Sequence, residues 1–139
     1  MSGPSVWQRA LRLLARREHS RAELARKLAP HGTPEEIEET LSRLERTGLL
    51  SDERCARAFV AARAERSGRR LLEMRLRERG LDDALIDEVL DALEAESSEV
   101  ERAAALWRKR FGTPPADAKE WARQARFLAG RGFSPSIVT

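Results

Sequence analysis

Few side chains in this sequence have the type and spacing that covalent or metal chemistry needs. His19 and His31 fall at helix ends, where caps and solvent contacts account for them, and neither joins a spaced cluster with cysteine or carboxylates. Cys55 stands in the first turn of a helix, a place that can lower a thiol pKa. Its spacing to Phe59 instead makes it a small, half-buried apolar group. Asp82 and Asp83 are adjacent carboxylates of the kind that caps a helix N-terminus. No glycine-rich phosphate cradle is present. Trp7, Trp107 and Trp121 sit at core spacing rather than as stacking platforms. Catalysis finds little support, and neither metal nor cofactor is expected.

The chemistry that remains is charge. The formal net charge is only +3, but its distribution is patterned. Residues 1–32 carry +5, 33–56 carry −4, 57–81 carry +5, 82–101 carry −9 and 102–139 carry +6. The sign alternates in register with the helices below, which predicts a basic ridge and an acidic ridge, the former facing a polyanion or an acidic protein. Arg69 and Arg70 open a helix, where the dipole disfavours exposed cations by roughly 0.3–1 kcal/mol each. They are therefore candidate charged contacts. Arg57, Arg63, Arg75, Arg77 and Arg79 extend the set within the same segment, and Arg12, Arg16 and Arg131 outside it.

The elements that position these arginines are all helical, with no alternating β-branched run outside the last three residues. Val6 to Arg17 turns Trp7, Ala10, Leu11 and Leu14 to one face. Ser20 and Glu23 form a capping box for a second helix, Thr33 and Glu36 another for a third, which ends at Gly48. Ser51 to Leu81 reads as two helices joined at Ser67-Gly68, the first with Cys55, Phe59 and Ala62 inward, the second with Leu72 and Leu76 inward and its arginines outward. Gly80 is a left-handed C-terminal cap. An acidic helix follows from Asp82 to about Glu94. A helix capped by Ser97 or Ser98 then turns Val100, Ala104, Trp107 and Phe111 inward. Another starts at Pro114 with Trp121, Ala125 and Leu128 inward, and a last one begins at Ser134-Pro135.

Laid against itself, the chain repeats. At a period of 48 residues Ser20 meets Gly68, Leu24 meets Leu72, Leu28 meets Leu76 and Gly32 meets Gly80. A third copy follows at an offset of 52, with Gly80 on Gly132 and Leu76 on Leu128. The expected fold is all-α: three tandem three-helix repeats forming an elongated curved array with a continuous core, because one unit cannot bury its own apolar face. The repeats span about 5–48, 51–95 and 97–139 within a single domain, 1–139. The segment 20–50 also has the outline of a DNA-reading helix-turn-helix, but its second helix is acidic, which argues against placing it among phosphates.

The lone cysteine, and the lack of a roughly 20-residue apolar run or of a leader pattern at the N-terminus, lead us to expect a soluble cytoplasmic protein. With no apolar stripe left over, a monomer is expected.

Specific runs carry a resemblance. Asp52-x-Arg54-x-Ala56 with Phe59, Gly68 followed by a basic pair, Leu76-x-x-Arg79-Gly80-Leu81, and the late Phe127-Leu128-x-x-Arg131-Gly132-Phe133-Ser134 resemble the RecX family of regulatory proteins. The opening from Ala10 to Leu24 is similar to the family's first repeat. Cys55 departs from the pattern, standing where the family usually has an aromatic. The chain also stops at Thr139 where relatives continue through a final helix, so the third repeat is expected to be truncated. The resemblance implies a non-enzymatic protein that binds the RecA–DNA filament and modulates, mostly inhibits, its recombinase, ATPase and coprotease activities, with single- or double-stranded DNA as a further contact. Any ATP and magnesium would belong to RecA. The basic residues above become candidate partner contacts, whereas Asp52, Phe59, Gly68, Leu76, Gly80, Gly132 and Phe133 are expected to be scaffold. Two other readings stand beside it: a nucleic-acid binder acting without RecA, and a helical adaptor for an unrelated acidic partner.

Overall fold

The structure, a computed structural model, describes residues 3–138. Among them are nine α-helices and no strand: α1 (Val6–Arg16), α2 (Arg21–Leu28), α3 (Pro34–Arg46), α4 (Asp52–Arg63), α5 (Arg69–Glu78), α6 (Asp83–Glu96), α7 (Glu99–Arg110), α8 (Ala118–Gly130) and α9 (Pro135–Val138). Short 3₁₀ turns extend α2 and α4. Side chains set most of the starts. Ser5, Ser20 and Thr33 each close a reciprocal capping box with Gln8, Glu23 and Glu36, satisfying backbone N–H groups that would otherwise lack partners. Ser51, Asp82, Ser98 and Asp117 cap α4, α6, α7 and α8.

Three helices make a unit, and each unit has its own core. Unit 1 packs Val6, Ala10, Leu24, Leu28, Ile37, Leu41, Leu44 and Leu50. Unit 2 packs Ala56, Phe59, Val60, Leu72, Leu76, Leu81, Ile86, Val89 and Leu90. Unit 3 buries only Ala103, Leu128 and Phe133, with Leu106, Trp107, Phe127, Ile137 and Val138 half-buried against them. An edge-to-face pair, Phe111 on Phe127 at 5.4 Å, adds to it.

Corresponding backbone groups join the units. The N–H of Arg21, first residue of α2, donates to Asp52 Oδ1 at 2.7 Å, and the N–H of Arg69, first residue of α5, donates to Glu99 Oε2 at 3.2 Å. Asp52 and Glu99 are themselves the first residues of α4 and α7. Ser20 Oγ donates to the carbonyl of Arg79, and at the next joint the N–H of Gly68 donates to the carbonyl of Arg131 at 2.7 Å. Gly68 cannot be serine-like here, because a Cβ would stand 2.4 Å from the Gly132 carbonyl. Gly132 in turn has φ +88° and lies against Leu71. The repeat therefore specifies the joints as well as the units.

Several expectations change. Ala62 is exposed, because α4 buries the pairs Cys55/Ala56 and Phe59/Val60. Val100 is 59 % exposed and Ala103 takes the buried place. Trp121 is 46 % exposed. The helix expected from Pro114 begins at Ala118, where Asp117 supplies a cap. Gly32 has the sequence place of Gly80 but an extended backbone, φ −169°. His19 is buried rather than at a solvated end. Among the described residues no helix is long and apolar enough to cross a membrane.

Candidate functional site

The arginines divide into those the fold uses and those it leaves available. Arg69, expected to face outward, lies 3.0 Å from Glu73, 3.7 Å from Asp87 and 3.0 Å from Asp91. Arg21, its counterpart in unit 1, pairs likewise with Glu38 and Glu45 of α3. In both units the first arginine of the second helix is thus a tie to the acidic third helix. Arg57 pairs with Glu53, Arg75 with Glu78 and Arg77 with Asp83. Arg70 donates its backbone N–H to Gly132 and keeps an exposed side chain without an acidic partner among the described residues. Arg131 stacks over Phe127, its guanidinium 5.3 Å from the ring centre.

At the first joint a buried charge cluster forms around Glu23. Arg17 approaches its carboxylate to 3.0 Å and Arg79 to 3.2 Å, and the Ser20 N–H donates to it at 3.0 Å. Burial alone would raise the Glu23 pKa, but the hydrogen bonds from Arg17 and Ser20 and the charges of Arg79 and Arg17 overcome it and lower the group to about 2. Cys55 packs beside this carboxylate, and burial with the charge of Glu23 pushes its thiol up to about 11. An activated thiolate is thereby disfavoured.

Two basic clefts flank α2. The first, about 380 Å³, lies between α1 and α2 and is lined by Arg9, Arg12, Arg16, Lys27 and His31 above Leu13 and Leu28. The second, also about 380 Å³, lies over Phe59 and is lined by Arg26, Arg63, Arg75 and Arg79 together with Glu23 and Glu78. Arg63 and Arg79 both stack over the Phe59 ring of this site, 3.9 Å and 4.5 Å from its centre. Burial, and after it the like charges of Arg79, Arg66, Arg17 and Arg75, lower the Arg63 pKa. The positive field here exceeds what Glu23 and Glu78 neutralise. The clefts are related by the repeat: Lys27 and His31 of the first stand 48 residues before Arg75 and Arg79 of the second. That correspondence is a sequence signal for Lys27, which with Arg9 and Arg26 is absent from the named candidate contacts; the period sets Arg26 on Met74 and gives no such signal for it.

Fold and site together define a tandem three-helix-repeat protein that presents concave basic surface on its first two units. Family models match the chain in three successive pieces, described as the first, second and third three-helix domains of RecX, at residues 7–44, 51–90 and 97–139. The protein named regulatory protein RecX of Leptothrix cholodnii is 53 % identical over 135 residues, covering 96 % of this chain and 85 % of that one. Its namesake in Ralstonia nicotianae is 48 % identical over 136 residues, covering 97 % and 84 %. A crystal structure of RecX from Lactobacillus salivarius superposes with a TM-score of 0.79 at 22 % identity, over 96 % of this chain and 89 % of that one, a likeness of fold. This chain belongs to the RecX family.

Proposed function

We propose that this protein is a non-catalytic regulator that binds a RecA–DNA filament through the arginine cleft over Phe59 and slows the filament's ATPase and strand-exchange cycle. The carrying observation is the gathering of Arg63, Arg75 and Arg79 in one cleft, with Arg63 and Arg79 over the Phe59 ring, where burial and then the neighbouring like charges lower the Arg63 pKa. Uncompensated positive charge in a concave site favours an acidic surface or a phosphate backbone. Membership of the RecX family favours RecA as the partner. His19 and Cys55, the groups best suited to nucleophilic work, are engaged in packing and hydrogen bonds, which favours binding over catalysis. A protein that binds one filament state better than another shifts the assembly balance by that difference in affinity.

The test is the single-stranded-DNA-dependent ATPase of RecA from the same source, titrated with this protein at constant DNA. Inhibition well below one molecule per RecA protomer is expected. Arg63→Glu with Arg70→Glu, both without acidic partners among the described residues, should raise the half-inhibiting concentration about tenfold or more with far-UV helicity retained. An ATPase rate unmoved by excess wild-type protein would overturn the filament reading. An unchanged midpoint in the variant would move the contact elsewhere.

A further inference from the structure

The first cleft differs from the second in a way the filament reading does not use. Its cationic lining comes from two helices of one unit, Arg9, Arg12 and Arg16 on α1 and Lys27 on α2, with His31 just beyond, and it contains no carboxylate. The corresponding cleft of unit 2 includes Glu23 and Glu78. Among the described residues no acidic group lies within 4.0 Å of Arg9, Arg12, Arg16 or Lys27, although Arg17 and Arg21 beside them are both paired. Four cations lining one cleft without a paired carboxylate leave a local excess of positive charge that attracts an external anion.

Lys27 is also held in place. Its ammonium lies 3.0 Å from Nε2 of His19, a ring that is only 1 % exposed. The other nitrogen, Nδ1, lies 3.0 Å from the carbonyl of Arg17. A carbonyl can only accept, so Nδ1 carries the proton; an ammonium can only donate, so Nε2 accepts from Lys27. The buried imidazole thus fixes a lysine at the cleft, and the lysine retains two N–H donors for a ligand. The lining has no Phe, Tyr or Trp, and its one aromatic ring is the imidazole of His31 at the edge. Its chemistry is that of a reader of phosphate oxygens: guanidinium forks with a point-charge ammonium.

We infer that the α1–α2 cleft is a phosphate-binding subsite, taking phosphates linked in a free oligophosphate or along a sugar–phosphate backbone. The subsite is separate from the cleft over Phe59 and acts without RecA, so its failure and that of the filament reading are independent.

Two probes tell the sources apart by calorimetry at low salt without RecA: inorganic tripolyphosphate and a single-stranded oligodeoxythymidylate. Each is titrated into the wild type, into Arg12→Met with Lys27→Met, and into a control on unit 3, Arg108→Met with Lys109→Met. All four positions are exposed, but Lys27→Met also removes the donor to buried His19 Nε2, so far-UV circular dichroism checks that the fold is retained. Loss of two charge-assisted contacts should weaken binding about tenfold or more, whereas the control should stay close to wild type. Cleft-dependent binding of tripolyphosphate alone supports a free oligophosphate. Cleft-dependent binding of the oligonucleotide, whether or not tripolyphosphate binds, supports the backbone. Two results would overturn the subsite: neither probe binds the wild type, or the cleft variant binds no worse than the control.

Discussion

Glu23 serves three structures at once. It closes the capping box of α2, receives Arg79 from the second unit, and holds Arg17 from the end of α1. Its side chain is 10 % exposed, so little solvent screens these contacts. The folded carboxyl titrates at about 2, down from 4.5. A depressed carboxyl contributes stability above its unfolded pKa and loses it as pH falls through the folded value. The contribution, on the order of 3 kcal/mol, should therefore be complete above about pH 4.5 and vanish toward pH 2. Glu23→Gln should lower the unfolding free energy at pH 7 by about 2–3 kcal/mol and flatten its acid dependence in that window. Urea titrations at several pH values test this, and an equally steep acid dependence in the variant would assign the acid sensitivity to other groups. The capping role was legible, because serine and glutamate three apart at a helix start have a local meaning. The clamp was not, since Arg79 lies 56 residues away and carries no local mark of its target.

Among the elements, the glycine joints make the sharpest contrast. Gly48 and Gly132 both end helices with positive φ, +78° and +88°. Around Gly48 nothing lies within 4 Å of an added Cβ, whereas at Gly132 that atom would be 2.4 Å from Leu71 Cβ and 2.5 Å from its backbone nitrogen. Gly48→Ala should cost about 1 kcal/mol through backbone strain alone. Gly132→Ala should cost about 3 kcal/mol or more, because α5 must also move away. Denaturant midpoints compare the two, and equal losses would show that the second joint yields freely. Sequence read Gly48 as the end of the third helix, and the offset of 52 set Gly132 on the helix-ending Gly80; neither could show that Gly132 also admits a neighbouring helix. Sequence read the helices of units 1 and 2 well, since strong caps and leucines at helical spacing agree there. It read unit 3 less well. Pro114-Pro115 looked like a start but precedes the true cap at Asp117. In α7 and α8, alanines and tryptophans recur on more than one face, so periodicity alone chose Val100 and Trp121 where packing chose Ala103 and Gln124.

Across the whole molecule, stability should fall from the first two units to the third. Units 1 and 2 bury eight and nine apolar residues among those described, leucine-rich in both, while unit 3 buries three. With hydrophobic stabilisation near 25 cal/mol per Å² of apolar surface, the third core contributes the least, and repeat arrays of this kind open by unit. The backbone bonds that fasten it, from Gly68 to Arg131 and from Arg70 to Gly132, both end on the turn between α8 and α9. Opening that turn therefore releases both of these bonds together with α8 and α9, while the bonds from Arg69 to Glu99 and from Arg102 to the Ala64 carbonyl still hold α7. Native-state hydrogen exchange should give amides of α8 an opening free energy well below those of α2 and α5, and Gly132→Ala should lower the former while leaving α2 near its wild-type value. Uniform protection through all three units would mean that the joints couple them into one cooperative block. In the expected case the two basic clefts, both on the stable units, keep their geometry while unit 3 opens and closes, so ligand binding there should not track the stability of the last helices.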